Sequence, residues 1–146
     1  MEQPLIKAQA KDYVRQTQER LIGAPVLRQL KAEHGDAGAE QMLLALLEGW
    51  RNRPHGGQGY GPGNAVNLLR LLRGDLRGRD LAGLAIRQAY LAEVEAQGAT
   101  LARAHLSEVV LAEAFTFPIC VALSGDGASL VTRKRAARPR FAPAPG

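Results

Sequence analysis

GDLRG RDLAG LAIRQ AYLAE VEAQG ATLAR AHLSE VVLAE AFTFP, residues 74–118 written in fives, carries the reading of the whole chain. The third place of successive pentads holds Leu76, Leu81, Ile86, Leu91, Ala96, Leu101, Leu106 and Leu111, until Thr116 breaks the register. Two places earlier come Gly74, Arg79, Leu84, Ala89, Val94, Ala99, Ala104 and Val109, mostly small or apolar. The remaining places are mostly polar, charged or small. A spacing of five matches neither the two-residue alternation of a strand nor the 3.6-residue turn of a helix. Apolar positions that one unit cannot bury alone are the mark of a stacked solenoid. Each pentad is then one side of a square coil, with the central residue and the one two before it pointing inward. Stacked coils pair through parallel bridges about 4.8 Å apart. The window 81–96 also suits a helix, since Leu84, Arg87, Leu91 and Val94 share a helical face. Over forty residues the five-fold register holds while that helical stripe drifts out of phase.

Upstream, apolar spacing predicts helices. Residues 4–22 have Pro4 in the first turn and Ile6, Ala10, Tyr13, Val14 and Leu21 near one face, with Gly23 as the stop. Pro25 opens a second, short helix ending near Gly35. A third covers about 38–51, where Met42, Leu43, Leu46, Leu47 and Trp50 form a broad stripe expected to be buried. Residues 52–63, NRPHGGQGYGPG, hold five glycines and two prolines and read as a hinge. Pro62 starts a fourth helix that stops at Gly74.

With 146 residues and 46% apolar content, the chain has room for a core, built mainly from aliphatic residues because aromatics are only 5%. One cysteine, Cys120, excludes an internal disulfide framework and multi-cysteine metal sites. No signal peptide or membrane span is visible, so a cytoplasmic protein without membrane contact is expected. The net charge of +5 is local, because Arg133, Lys134, Arg135, Arg138 and Arg140 all fall in residues 133–146. The rest balances 14 basic against 14 acidic residues, so nucleic acid is not expected as a partner.

The pentads resemble the pentapeptide-repeat family, whose unit is small–Asp/Asn–Leu–x–x. GDLRG, RDLAG and ATLAR are close copies, whereas Arg79, Leu84 and Ala96 depart from the pattern. The surroundings, GYGPGNAVNLLRLLRGDLRG followed by pentads ending in LAEAF, resemble a linker in bacterial NACHT-like signalling NTPases. There an NTPase module, a helical region, a short pentapeptide stretch and a WD-repeat propeller follow one another. KAQAKDYVRQTQERLIGAPVLRQL resembles the helical stretch after the NTPase. Residues 117–132, FPICVALSGDGASLVT, are similar to the opening of a propeller blade, with Ser124-Gly125-Asp126-Gly127 as its turn. No GxxxxGK[ST] phosphate loop is present. The ending RKRAARPRFAPAPG is unlike a blade strand and suggests a truncated or split relative.

The fold class so implied is α+β. A short helical segment, residues 1–73 with its hinge at 52–63, caps a right-handed, quadrilateral parallel β-helix over 74–118. A partial blade-like hairpin over 119–132 and a basic disordered tail over 133–146 follow. The repeat core comprises Leu76, Leu81, Ile86, Leu91, Leu101, Leu106 and Leu111.

No catalytic, cofactor or metal site is expected. His34, His55 and His105 lack a ligand spacing and read as solvated surface. Cys120 sits in an apolar run with no basic neighbour to activate it. Asp75 and Asp80 are matched corner positions, not an acid–base pair. The glycines of 56–63 fail the GxGxxG pattern, and Ser107 and Ser124 lack a GxSxG context. Glu93, Glu108, Glu113, Arg87 and Arg103 are expected on the outer faces.

The expected role is a non-catalytic spacer, cap and protein-interaction module. Its partner would be another protein or a propeller domain, or a second copy docked through an open coil end. The alternative is a pentapeptide protein directed to DNA or a topoisomerase through the basic tail.

Overall fold

A computed structural model describes residues 2–92 and 94–111, together with the backbone of 118–123 and 130–134. Five helical pieces lie between residues 12 and 73. α1 (Asp12–Gln18) runs without interruption into a π-helical turn (Glu19–Gly23) and then into α2 (Ala24–Arg51). α3 (His55–Gln58) and α4 (Gly61–Arg73) follow. Residues 2–11 are not helical, although a helix from residue 4 was expected. Their backbone is held from outside instead: Leu5 N–H donates to Asn64 Oδ1 at 2.8 Å, and Ala8 N–H donates to Gln88 Oε1 at 2.8 Å. These long-range bonds, with Ile6 buried beneath them, prevail over local helix propensity.

Gly23 does not stop the helix; its backbone is helical at φ −62° and ψ −49°. A Cβ there would stand 2.9 Å from Leu71 Cδ1, so the glycine lets this turn approach α4 closely. The break falls at Gly35, where φ 70° and ψ 174° kink α2 into two stretches. Only glycine adopts that backbone cheaply. Of the broad stripe expected over 38–51, Ala39, Leu43 and Leu47 are buried, while Met42 and Leu46 face outward. The i, i+4 row against α4 is narrower than the sequence suggests.

The expected hinge at 52–63 contains α3 and the first turn of α4, and Gly61, Pro62 and Gly63 are buried. A Cβ on Gly61 would lie 2.3 Å from Trp50 Cζ2, and one on Gly63 would lie 1.8 Å from the Arg87 carbonyl oxygen. These glycines permit close packing. α4 is accordingly the central helix, buried on every side from Gly61 to Leu69.

Beyond Gly74 the chain makes two courses, 75–90 and 95–110, in parallel register at a constant offset of 20 residues. β1 (Ala85–Arg87) pairs with β2 (His105–Ser107), and single bridges join Asp75 to Glu95, Asp80 to Thr100 and Tyr90 to Val110. A separate antiparallel pair joins β3 (Pro118–Leu123) to β4 (Leu130–Lys134), with an irregularity between Pro118 and Cys120. The turn expected at 124–127, the tail from 135, and Glu93 and Glu113 lie outside the described residues.

The expected fold class is therefore corrected. The described residues are helix-rich, with one helical element of 28 residues, and no right-handed β-helix capped by short helices emerges from them. Among the described residues, regular parallel strand is confined to two three-residue segments. The physical reason is visible in the core. Leu76, Leu81, Leu84 and Ile86 of the first course bury themselves against Leu43, Leu47, Val66 and Leu69 of the helices. The main core lies between helices and chain courses, and the helices form half of it.

Candidate interaction surface

Three buried amides, Gln58, Asn64 and Asn67, join the helices to the rest. Asn67 Nδ2 donates to the Gln88 carbonyl at 2.8 Å, and its Oδ1 accepts from Tyr90 N–H at 3.0 Å. Gln58 Nε2 donates to the carbonyls of Arg53 and Gly83, and its Oε1 accepts from Ala85 N–H at 2.7 Å. Asn64 does the same for the N-terminal strap, donating to the Gln3 carbonyl and accepting from Leu5 N–H. A side-chain amide carries one acceptor and a donor pair, which matches the C=O and N–H of an open strand edge. The first course thus has its outer edge satisfied by side chains where a neighbouring strand would otherwise be needed.

Ion pairs reinforce the seam. Arg79, an odd residue at a small position of the repeat, pairs with Glu40 of α2, and Arg73 lies 3.5 Å from the same carboxylate. Arg51 at the end of α2 reaches Glu48 at 2.9 Å and Asp80 at 2.5 Å, and also donates to the Asp80 carbonyl at 3.0 Å. Arg15 stacks over the Tyr90 ring at 3.5 Å while Glu19 holds both Arg15 and Arg70.

Corners recur within each course. Gly78, Gly83, Gln88, Gly98, Arg103 and Glu108 all have positive φ, each two residues after a central position. At three of the places before a centre, a side-chain oxygen accepts the N–H two residues on: Asp75 from Arg77, Asp80 from Ala82 and Thr100 from Ala102. The Arg77 guanidinium and N–H hold the Asp75 carboxyl below its usual range. The Ala82 N–H, then Arg51, do so for Asp80. These aspartates shape turns.

The second course is covered less. Leu76, Leu81 and Ile86 are buried, whereas their counterparts Ala96, Leu101 and Leu106 are exposed or half-buried. Leu91 is half-buried, and Leu111, expected in the repeat core, is 49% exposed. Of the residues expected on outer faces, Glu108 and Arg103 are exposed. Arg87 is half-buried, its Nε shielded without a hydrogen-bond partner.

Beside this half-covered course lies an open cleft of about 470 Å³, lined by Arg51, Asn52, Arg53, Pro54, His55, Ala82, Gly83 and Arg103. His55 and His105, read from the sequence as separate surface residues, stack here with ring centres 5.9 Å apart. Their sequence separation of fifty hides the contact; only the 20-residue offset, which sets His105 over Ala85 next to α3, brings them together. Among the described residues no group of three or more His, Cys, Asp or Glu is arranged to hold a metal, and no helix is long and apolar enough to cross a membrane.

The described residues thus present one edge met by side chains and one half-covered face. Over 129 residues, 88% of its length, the chain is 39% identical to an uncharacterised WD repeat-containing protein of Nostoc sp.. The chain spans about a tenth of that relative's length. No family model matches the chain. No solved structure matches it either.

Proposed function

We propose that the chain acts as a non-catalytic structural and protein-interaction module of the kind that accompanies WD repeats in a larger signalling protein. The half-covered apolar row of the second course, Leu101, Leu106 and Val109, carries this reading. The same row in the first course is sealed by helices, so the second offers apolar surface for a further protein layer. The similarity to a WD repeat-containing protein supports a protein as the covering partner. An NTPase neighbour enters this proposal only through the resemblance of the N-terminal segment.

The test uses the Nostoc relative lacking its matching stretch, mixed with this chain and followed by size-exclusion chromatography with light scattering. Co-elution is expected, and Leu106→Arg abolishes it. A wild-type chain that stays free and monomeric, or that turns over a substrate dependent on one His or Ser, overturns the reading.

A further inference from the structure

We propose that the cleft between the end of α2 and the corner at Arg103 binds a phosphate monoester. Its cations are unevenly committed. Arg51 is neutralised by Glu48 and Asp80. Arg53 and Arg103 line the same cleft and, among the described residues, make no ion pair. Among the described residues no Asp or Glu belongs to the lining, Glu48 and Asp80 being held on Arg51 at its edge. A concave site edged by charge of one sign focuses its field into the cleft and raises the local concentration of anions. Two guanidinium forks supply paired N–H donors suited to phosphate oxygens, and His55 adds an imidazole donor.

Charge decides between anions. A phosphate monoester carries between one and a half and two negative charges near neutral pH, matching two uncommitted guanidiniums; a carboxylate carries one. Size decides between phosphates. The cleft is open and, at about 470 Å³, leaves room beyond a bare phosphate for the group that bears it. Pro54, Ala82 and Gly83 give that group an apolar wall beside His55, whose ring is backed by that of His105. The site also spans both courses, since Gly83 and Arg103 are equivalent corners in successive layers. Occupation would tie the second course to the helices through charge where apolar cover is thin.

The phosphate ester could come from a free nucleotide or from a phosphorylated protein side chain. Calorimetric titration of the full chain with AMP, with a phosphoserine peptide and its unphosphorylated twin, and with acetate separates them. Saturable binding of one AMP or one phosphopeptide per chain is expected, with neither acetate nor the unmodified peptide binding. Arg53→Gln with Arg103→Gln weakens it by about tenfold or more, leaving circular dichroism and the melting temperature unchanged. Binding of AMP alone assigns a small-molecule ligand, and binding of the phosphopeptide alone assigns a protein one. The proposal is overturned if neither probe saturates at millimolar concentration, or if Arg28→Gln, exposed and outside the cleft lining, weakens binding equally.

Discussion

The two courses 75–90 and 95–110 follow one pattern, pair in one register and turn corners at equivalent places, yet they differ in cover. The first is roofed by α2 and α4, and its outer edge is met by Gln58 and Asn67. The second has the first course on one side and, among the described residues, no helix on the other. Equivalent sequence thus gives unequal burial, because each layer depends on its neighbour for cover.

Breaking the seal on the first course is expected to have the largest effect. Asn67→Leu removes the amide that meets the buried Tyr90 N–H and the half-buried Gln88 carbonyl, at about 1–3 kcal/mol each. Urea denaturation should show a loss of about 3–5 kcal/mol. Thr100→Val in the second course, where only a long 3.4 Å turn contact is lost, should cost less than about 1 kcal/mol. Equal losses would show that the two layers are sealed alike.

Side-chain truncation comes next. Ile86→Ala should cost about 3 kcal/mol, within the range for a fully buried aliphatic residue, and Leu106→Ala about half of that. A partner that covers the second course should bring the two values together when the measurement is repeated on the complex.

Corner substitutions are smaller and opposite in sign. Gly83→Ala places a Cβ at φ 68° and should destabilise by about 1–2 kcal/mol. Arg103 already sits at φ 56°, so Arg103→Gly relieves strain and should stabilise by up to about 1 kcal/mol, read from the shift in the denaturation midpoint.

The smallest expected effect is acid sensitivity. The Asp80 carboxyl is held below its usual range, so its contribution is present above the unfolded-state pKa of about 4 and is lost as pH falls through the lower folded value. Asp80→Asn should flatten the stability profile below about pH 4 by less than about 1 kcal/mol, since the pair is largely exposed.

The sequence shows the five-residue spacing and the apolar residues of the first course plainly. It also marks corners, through Gly78, Gly83 and Gly98, two places after the centres. It hides the docking of the helices, which explains the corrected fold class. Arg79 and Leu84 look like faults in a repeat, but Arg79 pairs with α2 and Leu84 packs into the joint core. The glycines of 52–63 look like slack, yet Gly61 and Gly63 accommodate Trp50 and the Arg87 carbonyl. Composition cannot separate a glycine that permits motion from one that permits contact. The cleft is equally hidden, because Arg53 and His55 come to line one site with Arg103 only through the 20-residue offset.

The amide seal also gives the stack a direction. An added stretch of twenty codons placed after residue 110 would meet, among the described residues, no helix amide already bonded to that edge. The same insertion before residue 75 would have to displace Gln58 and Asn67 from partners they already satisfy. Lengthening by duplication is therefore barred on the side of α4, where the amides already occupy the edge.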